Sequence, residues 1–434
     1  MLSNDLWKRF SGLSWSEIPA TTRQVARQCL LDWFACALAG SQEPLSKILR
    51  DEYAGQSGVA SIIGSDIRVP VQAAALINGC AGHALDFDDT STVMGGHPSA
   101  PVIPAALAAA EELDCSGEDL LTAIIVGIEV ESRLGILVGA AHYARGWHVT
   151  STMGVFGAAA GVAHLMKLSD ESFGCAMGLA ASQSSGLKAN FGTMTKPFHA
   201  GHAAERGLLS ARLAARGFTS NPQSFEGNQG LLEAASTGKP ARERYDAYSE
   251  QWLTEHILFK YHSACYLTHA SIECLLQLGH SAGAVDCDKI TVTVNPSLLN
   301  VCGIEHPSTG LEAKFSLRAT SALAVLGYDT ADPATYSDDL FDNDTLNQMI
   351  DRVTVMTDDG LTGTQSRVVV QGQDGETHEA FFDTGIPATD LDDQQRKLES
   401  KFRHLVATVS DRGDELQRKI SEIERLQHVR HWLD

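Results

Sequence analysis

The sequence contains no Cys-x-x-Cys pair, although it carries nine cysteines scattered from Cys29 to Cys302. That spacing excludes a zinc ribbon, a thioredoxin-type redox motif and a bacterial ferredoxin-type cluster. Isolated thiols of this kind read as reduced, buried side chains. Long apolar runs are also missing. Stretches such as Ala105–Ala110 fall far short of the ~20 residues a membrane-spanning helix needs. The first ten residues hold neither an apolar signal core nor a small-residue cleavage site, so a cytoplasmic protein is expected. Basic charge is scarce: 33 Lys and Arg face 54 Asp and Glu, a net charge of −21. A field of that sign repels nucleic acid and anionic membrane, so neither is an expected partner. An anionic small molecule would need a local cluster of cations. No tandem repeat and no low-complexity linker interrupts the 434 residues.

The composition itself is ordinary and globular, and the length calls for roughly two or three domains. From Ser16 to about residue 265 the pattern is helical. Ser16 is a candidate cap for a helix whose Val25, Leu30, Leu31, Phe34 and Leu38 form one apolar face, ended by Gly40-Ser41. Ala-rich periodic stretches follow at Val71–Ala84, Val102–Leu113, Leu120–Val138, Val155–Lys167 and Ala203–Ala215. Ala and Gly at this density let helices approach closely, which predicts a compact bundle. Near residue 285 the period changes to two: Lys289–Val294, Arg352–Met356 and Ser366–Val370 read as strands, and Gly372–Gly375 turns the last into a hairpin with His378–Phe382. Helical stretches at Ser263–Ser281 and Leu317–Leu326 accompany them. The fold expected is mainly α: an all-helical domain over residues 1–268, completed by charged helices over 391–434, and a smaller α+β domain over 269–390. Leu398, Phe402, Leu405, Ile420, Ile423 and Leu426 are the inward positions of that tail, which is expected to stay helical to Asp434.

Several segments can carry chemistry. In Gly82-His83-Ala84-Leu85-Asp86-Phe87-Asp88-Asp89-Thr90, aspartates crowd directly after an apolar helix, where burial without partners is costly. The plain reading is a cap or turn. The tight turn Gly95-Gly96-His97-Pro98-Ser99 then presents a histidine, the usual proton carrier near neutral pH. Tyr143–Thr150 places Trp147 and His148 beside Gly146. The Gly-rich run Gly154–Gly161 follows no strand, so close helix packing explains it better than a phosphate loop. Asn190–His202 gathers Lys196, His199 and His202, interleaved with Phe191, Met194 and Phe198. This cluster is the natural place to hold substrate carboxylates. Lys260–Tyr266, with Tyr261 and Cys265, lies at the junction of the two predicted domains, a common location for binding sites. Glu312–Arg318 adds Lys314 and Arg318.

Taken in order, His-Ala-Leu-Asp-Phe-Asp-Asp-Thr, His-Pro-Ser, Gly-Trp-His, Asn-Phe-Gly-Thr-Met-Thr-Lys-Pro-Phe-His-Ala-Gly and Lys-Phe-Ser-Leu resemble the motifs of the MmgE/PrpD family. That family includes 2-methylcitrate dehydratase, cis-aconitate decarboxylase and iminodisuccinate epimerase. The resemblance runs over nearly the whole chain and is densest between about residues 75 and 270. It implies a large helical domain, a smaller α+β lid, a homodimer, and an active site between the domains that uses no metal and no cofactor. Its active-site positions fall on Asp86, Thr90, His97, His148 and Lys196. Lys260, Arg318, His199, Tyr261 and Cys265 are expected to contact substrate. The implied chemistry is proton transfer at a carbon next to carboxylates: His148 or His97 moves the proton, and the lysines hold carboxylates. The expected activity is that of a lyase, a dehydratase or decarboxylase of a 2-methylcitrate- or cis-aconitate-like substrate. An epimerase of an iminodisuccinate-like substrate is the alternative, and a non-catalytic helical binding protein of the same fold is a third reading. Two positions depart from the family pattern. Cys265 stands where decarboxylase-like members carry histidine, and Ala319 replaces a tyrosine that many members carry after the Lys-Phe-Ser-Leu motif.

Overall fold

A computed structural model of the chain describes residues 2–282, 287–407 and 409–433. The chain packs as two compact units, Met1–Phe259 with Thr389–Asp434, and Lys260–Ala388.

The first unit is helical: α1 (Ala20–Gly40), α2 (Val71–His83), α3 (Ser99–Leu113), α4 (Gly117–Ala144), α5 (Gly154–Leu165), α6 (Asp170–Gln183) and α7 (Thr195–Ala215). All five apolar positions predicted for α1 are buried. Ser16 does not cap it. Ser14 donates from its backbone N and its Oγ to Glu17 Oε2, at 2.9 and 2.7 Å, and sets a short 3₁₀ turn over Trp15–Glu17. α1 starts only after Pro19. The reason is local: Ser14 has an acid three residues on, which reaches back to the turn's first amide, whereas Ser16 has Pro19 there.

Glycine sets how closely the helices pack. A Cβ on Gly79 of α2 would lie 2.7 Å from Gly201 Cα of α7, and a Cβ on Gly201 would lie 2.2 Å from the Leu76 carbonyl oxygen. Likewise a Cβ on Gly161 would meet the Ala123 carbonyl oxygen of α4 at 2.8 Å. The Gly-rich run of α5 is therefore a packing surface, as the absence of a preceding strand implied. At Gly139 (φ 65°, ψ −179°) α4 loses helical geometry, so its last turn kinks before the Trp147-His148 turn.

The second unit contains α8 (Tyr266–Ala282), β1 (Cys287–Val294), α9 (Leu317–Val325), α10 (Asp344–Arg352), β2 (Val353–Thr357), β3 (Gln365–Gly372) and β4 (Thr377–Asp383). The sheet order is β2-β1-β3-β4, with β1 and β2 parallel and the other pairs antiparallel. Every segment predicted as a strand is one, and β3–β4 is the predicted hairpin. Ile290, Val292 and Val294 alternate into a core with Ile272, Leu323, Ile350 and Val368.

α11 (Leu391–Ala407) and α12 (Gly413–Ser421) complete the first unit. Leu398, Phe402, Leu405, Ile420 and Ile423 are buried as their spacing predicts, while Leu426 is half-buried. Among the described residues beyond Ser421 only a short turn, Ile423–Arg425, is helical; Asp434, the predicted end of the helix, lies outside the described residues. α11 packs along α1, and there the buried Lys401 Nζ lies 2.5 Å from Asp32 Oδ1. Among the described residues no helix is long and apolar enough to cross a membrane.

Candidate active site

The three carboxylates of the aspartate-rich turn after α2 point in different directions and differ in their main partners. Asp86 adopts a left-handed backbone (φ 51°), which Asp tolerates better than most residues. That turn points its side chain outward, where it stays 53% exposed. Asp88 is buried and takes His83 Nδ1 at 2.9 and 3.0 Å, one contact to each oxygen. Asp89 is buried too and accepts the Ser99 backbone N–H at 3.2 Å and the Ser99 hydroxyl. It thus caps the following helix α3, so the plain reading of the run as a cap describes Asp89 and not Asp86. Between them, the Phe87 carbonyl accepts from Lys401 Nζ at 2.5 Å, and the same ammonium lies 4.0 Å from the Phe87 ring centroid. A lysine of α11 thereby fixes the turn from below.

His97 is placed by the same turn. Its Nδ1 lies 2.7 Å from the Asp89 carbonyl, a pure acceptor, so Nδ1 carries the proton and Nε2 keeps its lone pair. Nε2 faces Asp86 Oδ1 at 3.5 Å. The His97 backbone N–H donates to Thr150 Oγ1 at 3.1 Å. Thr90 closes the loop that carries His97: its Oγ1 donates to the Gly96 carbonyl at 3.2 Å, and its backbone pairs with Leu258.

Lys196 comes from the first turn of α7. A cation there opposes the helix dipole, and Asp86 Oδ1, 2.8 Å from its Nζ, offsets that cost. Lys196 Nζ also lies 5.4 Å from the Phe191 ring centroid. His148, on the turn behind α4, packs edge-on against Phe191 at 5.0 Å and stacks 6.0 Å from His83. His83 in turn is 4.6 Å from His97, ring to ring. His148 Nδ1 lies 3.2 Å from His199 Nδ1, so one of the two donates and the other accepts. Burial first, then the neighbouring His83, His97 and Lys196, hold His148 far below the usual histidine range, and burial also lowers His199. Both imidazoles are neutral near pH 7. Asp89 moves the other way. Burial and the nearby Asp32 raise it to about 7 against the pull of Ser99.

The structure thus gathers Asp86, His97, Lys196, His148 and His199 in the first unit, with Thr90 bracing the loop. His202 lies beside them: it packs on Phe198 and is close enough to His199 to help lower it. Met194 and Phe198 are exposed. His83, Asp88 and Phe191 belong to the cluster beyond the expected set, and their signal was their place inside the same motifs. His83, Asp86, Asp88 and His97 also form a group whose potential ligand atoms, one per residue, lie within 4.8 Å of one another. The remaining candidates belong to the second unit. Lys260 is buried and Tyr261 half-buried. The Cys265 backbone N–H donates to the Lys314 carbonyl at 2.9 Å, Lys314 Nζ lies 3.4 Å from Ser263 Oγ, and Arg318 pairs with Glu305 at 3.5 Å.

Sequence comparison matches residues 5–244 to the MmgE/PrpD N-terminal domain and residues 262–427 to the MmgE/PrpD C-terminal domain. The chain belongs to the MmgE/PrpD family. The C-terminal family region extends past the second structural unit into α11 and α12, which pack with the first. A cis-aconitate decarboxylase-like protein of Aspergillus oryzae is 31% identical over 93% of this chain and 90% of its own length. The cis-aconitate decarboxylase of Aspergillus terreus is 30% identical over 62% of this chain and 58% of its own. The human cis-aconitate decarboxylase is 34% identical over 50% of this chain and 46% of its own. Asp86, Thr90, His97, His148 and Lys196 all lie within one structural unit of this MmgE/PrpD-family chain.

Proposed function

We propose that the protein is a lyase that moves a proton at a carbon next to a carboxylate of a small di- or tricarboxylate, of the cis-aconitate type. The observation that carries this reading is the Lys196–Asp86–His97 arrangement, a cation, an exposed carboxylate and an imidazole whose Nε2 faces that carboxylate. Lys196 binds a substrate carboxylate in exchange for Asp86. Its charge also stabilises the enediolate-like negative charge that develops when the neighbouring C–H is lost. His97 Nε2 takes or returns the proton, since Nδ1 is committed to the Asp89 carbonyl. His148, kept neutral, serves as an N–H donor towards developing charge, and His199 fixes its tautomer through the Nδ1–Nδ1 contact. Asp86 orients Lys196 and His97 until substrate displaces it. The cis-aconitate decarboxylase relatives support the choice of substrate class.

The test is a panel of cis- and trans-aconitate, 2-methylcitrate, citrate, substituted succinates and iminodisuccinate, followed by ultraviolet absorbance and by NMR in deuterated water. A lyase changes absorbance as an unsaturated bond forms or is consumed. Exchange of the substrate hydrogen with solvent at unchanged composition would assign an epimerase instead. Neither turnover nor exchange with any of them would sink the enzymatic reading.

A further inference from the structure

Glu131 lies in the middle of α4 with its side chain fully buried, and neither carboxyl oxygen has a hydrogen-bond partner among the described residues. Its place in the packing is tight. On the same face of α4, one turn to either side, Gly127 faces Val102 of α3 and the Gly157 carbonyl of α5, and Gly135 faces Met94 in the loop that carries His97. Between them the Glu131 carboxyl fills the seam. A Cβ on Gly157 would lie 2.7 Å from its Oε2, and one on Gly154 would lie 3.5 Å from the same oxygen and 2.4 Å from Pro101 Cγ. Gly154 and Pro101 belong to the first turns of α5 and α3, the helices that start just behind the His148 and His97 turns. The charged groups around it offer no relief. α5 carries one titratable side chain, His164, near its far end, and the acids of α3, Glu111 and Glu112, stand at that helix's far end. On α4 itself Glu129 and Arg133 pair with each other and bond to Thr254 and Gln251. Asp89, on the turn before α3, is the neighbour whose charge bears on Glu131, and its sign is unfavourable. Burial first, then Asp89, push the carboxyl well above the usual carboxylate range, so it is a neutral acid near pH 7.

We propose that Glu131 is a positioning residue: as a neutral acid it wedges α4 against the first turns of α3 and α5, and loss of its proton opens that seam and loosens the turns that bear His97 and His148. A buried carboxylate must be hydrated or paired. Backbone stands against Glu131 on the Gly157 side, so water reaches the charge only when the helices part. Glu131 acts through the two histidine turns and not on substrate. The sign follows from where the proton is held. The folded chain keeps it more tightly than an opened one, so the closed seam is most stable below about pH 5 and weakens as pH rises. The alkaline limit of turnover is then set beneath the site. Only this kinetic consequence rests on the proposed function.

The experiment compares the full chain with Glu131→Gln, which keeps the shape and cannot ionise, and with Glu131→Ala, which removes the wedge. Infrared spectra taken about one pH unit above the Asp89 value of about 7 are expected to show the carbonyl band of a protonated carboxylic acid in the wild type and its loss in Glu131→Gln. Hydrogen exchange is followed over residues 96–102 and 148–157. Exchange in the wild type relative to Glu131→Gln is expected to speed up by as much as about tenfold per pH unit above about pH 5. Glu131→Ala should exchange faster than Glu131→Gln at every pH. With a turned-over substrate, the alkaline limb of kcat should move to higher pH in Glu131→Gln, and kcat lost in Glu131→Ala should return in Glu131→Gln. An infrared band unchanged by Glu131→Gln, an exchange ratio that does not vary with pH, or an unmoved alkaline limb would overturn the role. The infrared and exchange readouts need no turnover, so they decide the matter even if every carboxylate of the panel proves inert.

Discussion

Lys196 Nζ and Asp86 Oδ1 stand 2.8 Å apart, although one belongs to the first turn of α7 and the other to the turn after α2. The pair is poised and not locked, because half of the Asp86 side chain faces solvent. Partly exposed pairs of this kind contribute ~1 kcal/mol or less to stability. Replacing Lys196 by Ala is therefore expected to leave the melting temperature within a few degrees of the wild type. It should lower kcat/KM by about 10–100-fold through loss of a charged hydrogen bond to substrate. Steady-state kinetics with a calorimetric melt on the same sample checks both. A large drop in stability would show that the lysine is structural.

The two histidines should separate by their pH behaviour. His148 is held neutral far below the working range by burial, so it does not titrate near pH 7. His148→Ala should reduce kcat by ~100-fold or more while leaving the acid limb of the pH–rate profile where it was. His97→Ala should cost ~10²–10⁴-fold as the proton carrier is lost. An acid limb that moves in the His148 variant contradicts the assignment.

Lys401 ties α11 to both α1 and the aspartate turn. Its Nζ lies 2.5 Å from Asp32 Oδ1 and 2.5 Å from the Phe87 carbonyl, all buried. Lys401→Met strands the Asp32 charge and is expected to cost ~3–5 kcal/mol in denaturant melts. Adding Asp32→Asn should recover part of that loss. Absence of coupling in the double-mutant cycle would contradict the ion pair.

Asp89 gives a pH-dependent stability with a definite sign. Its folded value, about 7, lies above the ordinary 3.8, so the folded state holds this proton more tightly than the unfolded chain does. The stability it contributes is greatest at low pH and falls as pH rises from about 4 to about 7. Asp89→Asn does not titrate. The wild type should therefore lose ~2–3 kcal/mol relative to this variant between pH 5 and pH 8. A pH-independent difference between the two proteins rules out a buried titration at Asp89.

Much of this architecture is legible in the sequence because it is local. The five Ala-rich helices and the alternating strands each repeat a period that burial on one face imposes. The aspartate run shows where its limits lie. Sequence identifies a polar turn after an apolar helix, but not that Asp89 turns in to Ser99, Asp88 back to His83 and Asp86 out to Lys196. Those directions follow from the left-handed φ of Asp86 and from a lysine more than three hundred residues away. No period announces Lys401, whose charge on α11 reads like that of any solvated face. Ser16 marks a local limit, since the decisive pair, Ser14 and Glu17, stands at capping-box spacing in the sequence itself. Phe191 and His83 lie within the family-like motifs, yet only the folded chain shows them packed around His148.

The contact between Gly79 and Gly201 has a consequence for how such a site can change. The backbones of α2 and α7 meet there with no room for a single methyl group, with Cys80 Sγ the one side chain as close, so the spacing of the two segments that carry Asp86 and Lys196 is set largely by main chain. Side-chain drift at the crossing has little to adjust: a side chain added at either glycine pries the helices apart and unseats both ends at once. The ammonium and the carboxylate thus behave like the jaws of a fixed gauge. New substrates for this scaffold must be accommodated by residues outside that crossing, while the gap between the jaws stays as it is.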